Sequence, residues 1–254
     1  MPTKTKTIDE TVQRGGKTKS PAMADAPAVV AELQRMGSQK VKDGMARFAI
    51  PSDKAFGVSV ADLRKLAQRL GQNHALAVSL WETGWYEARM LTAFIDDPLQ
   101  VTPVQMDHWQ RNFDNWAICD ALCFHLFDKT PHAWRKVKAW AGQRGEFQKR
   151  AAFALLWALA AHDKRSGDEP FHQSLRLIEV AADDDRNFVK KAVNMALRAI
   201  GKRGDALHAA AVAVAERLAA SDRVTPRWVG KDALRELNSP SVKRRLSARR
   251  KSAR

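Results

Sequence analysis

The longest apolar run in this sequence, Ala151 to Ala161, has 11 residues, about half the length that crosses a bilayer. No apolar stretch follows the N-terminal basic residues, so neither a membrane span nor a secretory signal is expected. Cysteine is scarce, with Cys119 and Cys123 the only two. One helical turn apart, they are badly placed for a disulfide, and two thiols with no further cysteine nearby make a weak metal site. They read as small buried hydrophobes of a reducing compartment. The 7 histidines form no cluster at metal-ligand spacing, and neither a Gly-rich phosphate loop nor a G-x-S-x-G elbow is present. No metal site is therefore expected. Sustained apolar alternation is missing too, which removes the main strand signal.

The 254 residues suffice for one elongated domain or two compact ones, and 45% of them are hydrophobic, ample for a core. The 13 glycines and 10 prolines are too few for a Gly/Pro-rich disordered chain. The formal net charge is +15, concentrated toward the ends: residues 237–254 hold seven Lys/Arg and no acid. A basic body with a basic tail points to a polyanion, nucleic acid foremost. Residues 1–26 show no apolar period and read as a disordered basic leader. Residues 27–237 carry a helical pattern throughout, and residues 238–254 read as a disordered basic tail. That tail either binds DNA without sequence preference or simply solubilises the chain. Helix starts are marked by the capping boxes Ser59/Asp62 and Thr102/Gln105. Thr-Pro pairs at Thr102, Thr130 and Thr225 set a capping hydroxyl before a proline at the first helical position. The expected class is all-α.

A repeat organises the helices. Tyr86 is followed three residues later by Arg89, Phe147 by Arg150, Phe188 by Lys191 and Trp228 by Lys231. With Trp116 included, the aromatic positions lie 30, 31, 41 and 40 residues apart. Helix pairs repeating at such periods stack into a solenoid, because one pair alone cannot bury its apolar face. Equivalent positions then line one wall, and the four cations form a concave basic stripe suited to backbone phosphates. On a convex face the same cations would merely be solvated. The Trp116 unit alone lacks the cation; Cys119 takes its place, and Asp120 follows one turn after Trp116 on the same helix face.

Five stretches carry a resemblance. They are Phe56-Gly-Val-Ser-Val-Ala-Asp-Leu-Arg-Lys-Leu-Ala67, Leu80-Trp-Glu-Thr-Gly-Trp-Tyr-Glu-Ala-Arg-Met-Leu91, Trp116 to Asp120, Lys149-Arg-Ala-Ala-Phe153, and Phe188-Val-Lys-Lys-Ala-Val-Asn-Met-Ala-Leu-Arg-Ala-Ile-Gly-Lys202. In this order they resemble the AlkD branch of the HEAT-like-repeat DNA glycosylases, over roughly residues 30 to 237. The resemblance implies an α-solenoid of HEAT-like repeats that excises cationic 3- and 7-alkylpurines from duplex DNA, without metal or organic cofactor. By position it makes Asp120 the catalytic carboxylate, Trp116 the indole beside it, and Arg150 the arginine near the lesion strand. Where many members carry a second tryptophan, this chain has Met195, a departure that bears on rate or lesion range.

An alkylpurine with a fixed positive charge already leaves readily, so one carboxylate can suffice where most glycoside hydrolases use two. Asp120 would stabilise the oxocarbenium ion that develops on the sugar and orient the attacking water. Nearby cations would help keep it ionised. Trp116 would pack on the deoxyribose or the cationic base. Arg89, Arg150, Lys190, Lys191, Arg198 and Lys231 are the phosphate candidates. The expected enzyme is a cytoplasmic, nucleoid-associated monomer acting on double-stranded DNA with alkylated purines. The alternatives are a non-catalytic HEAT-like scaffold for DNA or RNA and a protein–protein adaptor.

Overall fold

The computed structural model describes residues 25–252, with side chains through 249; the leader expected over 1–26 lies almost wholly outside them. The described residues contain no strand. The chain opens with α1 (Ala26–Met36), α2 (Gln39–Met45), a 3-10 turn (Ala46–Phe48) and α3 (Val60–Leu70). Next come α4 (His74–Glu82), α5 (Tyr86–Ile95), α6 (Pro103–Arg111), α7 (Trp116–His125) and a second 3-10 turn (Phe127–Lys129). The rest is α8 (Ala133–Trp140), α9 (Glu146–His162), α10 (Glu169–Ala181), α11 (Asn187–Ile200), α12 (Asp205–Ala219), α13 (Val224–Leu237) and α14 (Pro240–Ser252).

The repeat is visible in the packing. Helices α5, α7, α9, α11 and α13 pack each on the next, and α4, α8, α10 and α12 back α5, α9, α11 and α13. Four of the five aromatic positions mark where these helices begin: Tyr86 and Trp116 are first residues, Phe147 and Phe188 second ones. Only Trp228 enters later, in the second turn of α13. The central member, α9, is buried continuously from Arg150 to Leu156. A helix apolar all round can only sit inside a structure, and α9 meets α7, α8 and α11. Small residues make that possible: the Cys119 and Cys123 thiols lie against the α9 carbonyls of Phe147 and Ala151, at 3.8 and 3.5 Å.

Caps follow the sequence at two of four places. Ser59 Oγ accepts from Asp62 N (3.2 Å) and Thr102 Oγ1 from Gln105 N (3.1 Å). Thr130 instead donates to the Phe127 carbonyl (2.8 Å), and α8 starts three residues on. Thr225 lies inside α13, which begins at Val224.

One buried carboxylate fixes the approach to the site. Glu87 in α5 accepts from the backbone N–H groups of Phe56 (3.0 Å), Gly57 (2.7 Å) and Val58 (3.2 Å). Gly57 has φ +84 and lies so near Ser38 that a Cβ would come within 2.2 Å of its carbonyl oxygen, so only glycine fits. The segment between these anchors carries the 3-10 turn with Phe48.

The expected disordered tail is corrected. Residues 240–252 form α14, which buries Val242 and Leu246 at 5% exposure each. Four residues apart, these two give the basic helix one apolar seam, which the sequence reading passed over for the charge around it.

Candidate functional site

A cleft of about 460 Å³ opens across α7, α9 and α11 beneath the Phe48 turn. Helix α7 contributes Trp116 and Asp120, α9 contributes Arg150 and Trp157, and α11 contributes Phe188, Lys191 and Met195. Asn115 caps α7 by accepting from Ile118 N at 3.0 Å, which sets Trp116 at the first helical position and Asp120 one turn deeper. Trp116 Nε1 donates to the Phe48 carbonyl at 2.7 Å, so the indole and the turn hold one another. The turn ends at Ala49 with φ 53, a left-handed conformation rare for a residue with a side chain. Phe48 itself is 60% exposed at the cleft mouth.

Asp120 is held by Arg150. Nε donates to Oδ1 at 2.9 Å and Nη2 to Oδ2 at 2.6 Å, while Nη1 donates to the Phe188 carbonyl at 2.7 Å. Arg150 is 4% exposed, and the Asp120 side chain retains 17%. Burial lifts the Asp120 carboxyl above the usual aspartate range; the guanidinium beside it pulls downward without cancelling that effect. Both oxygens accept N–H donors, an arrangement that suits the carboxylate. Each oxygen keeps lone-pair capacity for a sugar or a water.

The structure therefore brings Trp116, Asp120, Arg150, Lys191 and Met195 into one cleft and corrects the role of several cations. Arg150 is no free phosphate ligand, because its fork is committed to Asp120 and a backbone carbonyl. Arg198 pairs with Asp232 at 3.5 Å and with Glu236 across the α11–α13 interface. Arg89 lies over the Trp81 ring at 4.8 Å and lines a separate hollow of about 410 Å³ with Lys54, Tyr86 and Asp114. Burial and the neighbouring acids push the Tyr86 hydroxyl there up to about 12. Lys190 stands over the Trp228 ring at 5.2 Å. Lys191 and Lys231 remain exposed. Of the four cations in the aromatic-x-x-cation repeat, Arg89 and Arg150 are thus spent on a ring, an acid and backbone carbonyls, and the basic stripe is reduced to Lys191 and Lys231.

Sequence reasoning missed Phe48, Trp157 and Phe188 as walls. Trp157 had a signal: it lies seven residues after Arg150, two turns along the same face of α9. It packs edge-on against Phe124, ring centroids 4.5 Å apart, with part of its indole open to the cleft. Phe48 had none, since its position depends on the fold of residues 38–57. Among the described residues no three His, Cys, Asp or Glu side chains gather where a metal could be held, and no helix is long and apolar enough to cross a membrane.

Stacked helix pairs with a carboxylate set in an aromatic cleft define an α-solenoid of HEAT-like repeats. The chain belongs to the family described as "DNA alkylation repair enzyme", which it matches over residues 29–237. Among solved structures it is similar to one described as "A new family of proteins related to the HEAT-like repeat DNA glycosylases with affinity for branched DNA structures". The TM-score is 0.72 at 20% identity, covering 88% of this chain and 96% of that one. No curated protein matches the chain in sequence.

Proposed function

We propose that the protein is a monofunctional DNA glycosylase that removes cationic 3- and 7-alkylpurines from duplex DNA. The observation that carries this reading is the Asp120 carboxylate, partly open at the base of a cleft walled by Trp116, Trp157 and Phe48. On a surface that meets phosphates an acid weakens binding, so its presence there points to another task. Cleavage of the bond between C1′ and the purine nitrogen sends the electron pair to the base and cancels its charge. The positive charge then lies on the sugar, where Asp120 stabilises it. Water adds at C1′ and gives up a proton to Asp120 or to solvent. The two indoles offer faces to the cation, a contact worth about 0.5–2 kcal/mol where desolvated. Lys191 stands at the rim as the phosphate ligand. The enzyme acts as a monomer on nucleoid DNA of the cytoplasm, without metal or organic cofactor.

The test is to incubate the protein with duplex DNA treated with a methylating agent and to chromatograph the released bases. Release of 7-methylguanine and 3-methyladenine is expected; no release overturns the reading.

A second reading has one observation in its favour: the similar structure is described by its affinity for branched DNA. On that reading the Asp120–Arg150 pair is structural, and the protein binds a junction more tightly than a linear duplex while releasing no base.

A further inference from the structure

Helix α14 lies beyond residue 237, where the family match ends, and it packs against α13. Arg249 Nη1 donates to the Lys202 carbonyl at 2.8 Å and to the carbonyl of Arg203. Arg203 in turn donates to the carbonyls of Ala160 in α9 (3.0 Å) and of Asp163 just after it (2.8 Å). These bonds gather the end of α11, the loop after α9 and the basic helix into one edge. Lys164, Arg165, Arg245 and Arg249 are all exposed there, and Lys243 and Arg244 are exposed elsewhere on α14. The local acid is already engaged: Asp163 accepts from the backbone of Arg165 and Ser166 (2.9 Å each) and from Trp134 Nε1 (3.2 Å). Burial together with the cations Arg203, Arg249 and Arg245 holds Lys164 below its ordinary value, against the opposite pull of Asp163.

We propose that this edge is a second nucleic-acid backbone site, separate from the cleft and occupied by phosphates of the same or an adjoining duplex arm. Lys191, Met195 and Arg198 follow one face of α11 from the cleft, and Lys202 stands in the turn just past its end, beside α14. At about 1.5 Å per residue, the 11 steps from Lys191 to Lys202 span about 16 Å. That exceeds the screening length of about 8 Å at physiological salt, so the charges of the edge are largely screened from the cleft. It corresponds to about five base pairs at about 3.4 Å each, so the edge meets phosphates outside the lesion step. An anionic lipid surface is the other polyanion to consider. A helix lying on a membrane needs a free apolar face, and α14 has spent Val242 and Leu246 on the protein core.

The proposal rests on the family's action on DNA and not on excision chemistry, so it is tested with undamaged duplex. In the full chain, Arg245→Gln and Arg249→Gln are combined, and affinity is measured by fluorescence anisotropy across a salt series. Each lost phosphate contact flattens the slope of log affinity against log salt by about 0.9. A second variant, Lys164→Gln with Arg165→Gln, removes charge from the other side of the edge and decides the matter if the first fails a thermal-melt check. A shallower slope in either folded variant supports the site. Unchanged slopes in the folded variants overturn it, as does charge-dependent binding to phosphatidylserine vesicles with DNA affinity unaltered.

Discussion

Both oxygens of the Asp120 carboxylate accept from a single side chain, that of Arg150, at 2.9 and 2.6 Å. The residue proposed for the chemistry is thus also half of a buried ion pair that joins α7 to α9. On that proposal, a substitution at this position touches catalysis and stability together.

Asp120→Asn is accordingly expected to cost both. Loss of a preorganised contact to the developing charge slows base release about 10²- to 10³-fold. The amide keeps one acceptor but turns an N–H toward the guanidinium, leaving a buried cation short of its partner. Breaking such a pair costs up to about 3–5 kcal/mol, where an isolated catalytic acid would have cost little. Urea unfolding reads the second effect and single-turnover excision the first. A variant of parental stability would mean that the pair is not formed in solution; one of parental rate would remove Asp120 from the reaction.

Lys191→Gln and Arg150→Gln should behave differently toward salt. The exposed Lys191 flattens the slope of log affinity against log salt by about 0.9 if it meets one phosphate. Arg150, already engaged, leaves the slope unchanged and lowers the melting temperature instead. Equal slope changes for both would mean that Arg150 leaves Asp120 when DNA binds.

Acidification should separate activity from folding. Burial raises the Asp120 carboxyl, so the carboxylate is lost as pH falls through a midpoint above the ordinary value of 3.8. Because burial makes the folded state favour the protonated form, and a carboxylic acid, unlike the Asn amide, can turn its O–H away and still accept from Arg150 with both oxygens, this group adds stability as pH falls and loses that contribution as pH rises through its folded value. Asp184 runs the other way: Arg186 and Lys149 hold it down to about 2, so its stabilising share persists until pH drops below 3.8 toward 2. Base release is therefore expected to fall while the circular dichroism of the fold is unchanged. An acid limb at or below 3.8 would count against Asp120.

Met195 and Trp157 face the same cleft from neighbouring helices, and their substitution should have opposite signs. Methionine is polarizable but has no π-face. Met195→Trp adds one and should speed release of cationic bases by about 2- to 30-fold, as a contact of about 0.5–2 kcal/mol allows. Trp157→Ala should slow it over a similar range. Neutral lesions, if accepted, should respond little. A lower melting temperature for Met195→Trp without a rate gain would mean that the cleft cannot admit the larger ring.

The solenoid was legible because its signal is local and repeated: aromatic residues at helix starts and caps at Ser59 and Thr102 belong to single helices. Asp120 and Trp116 were legible for the same reason, being one turn apart on α7. What the sequence concealed were pairings between helices. Nothing near Arg150 in the chain says that its fork goes to Asp120, 30 residues away, or that Arg198 turns to α13. Reading each cation as solvent-facing took its charge without its partner. Helix α14 escaped the reading by another route, since two buried apolar residues among six cations barely register in composition yet suffice to dock a helix.

The two cysteines carry a last consequence. Both are buried between α7 and α9, and burial pushes the Cys123 thiol well above its ordinary value. A thiol reacts with electrophiles as the thiolate and only where a reagent can reach it. Agents that methylate DNA attack thiolates as well, so a cell under such exposure modifies its reactive cysteines and its bases together. This chain offers such reagents no accessible sulfhydryl, and the contacts that close its central helix pair also shield it from the chemistry that creates the damage its family repairs.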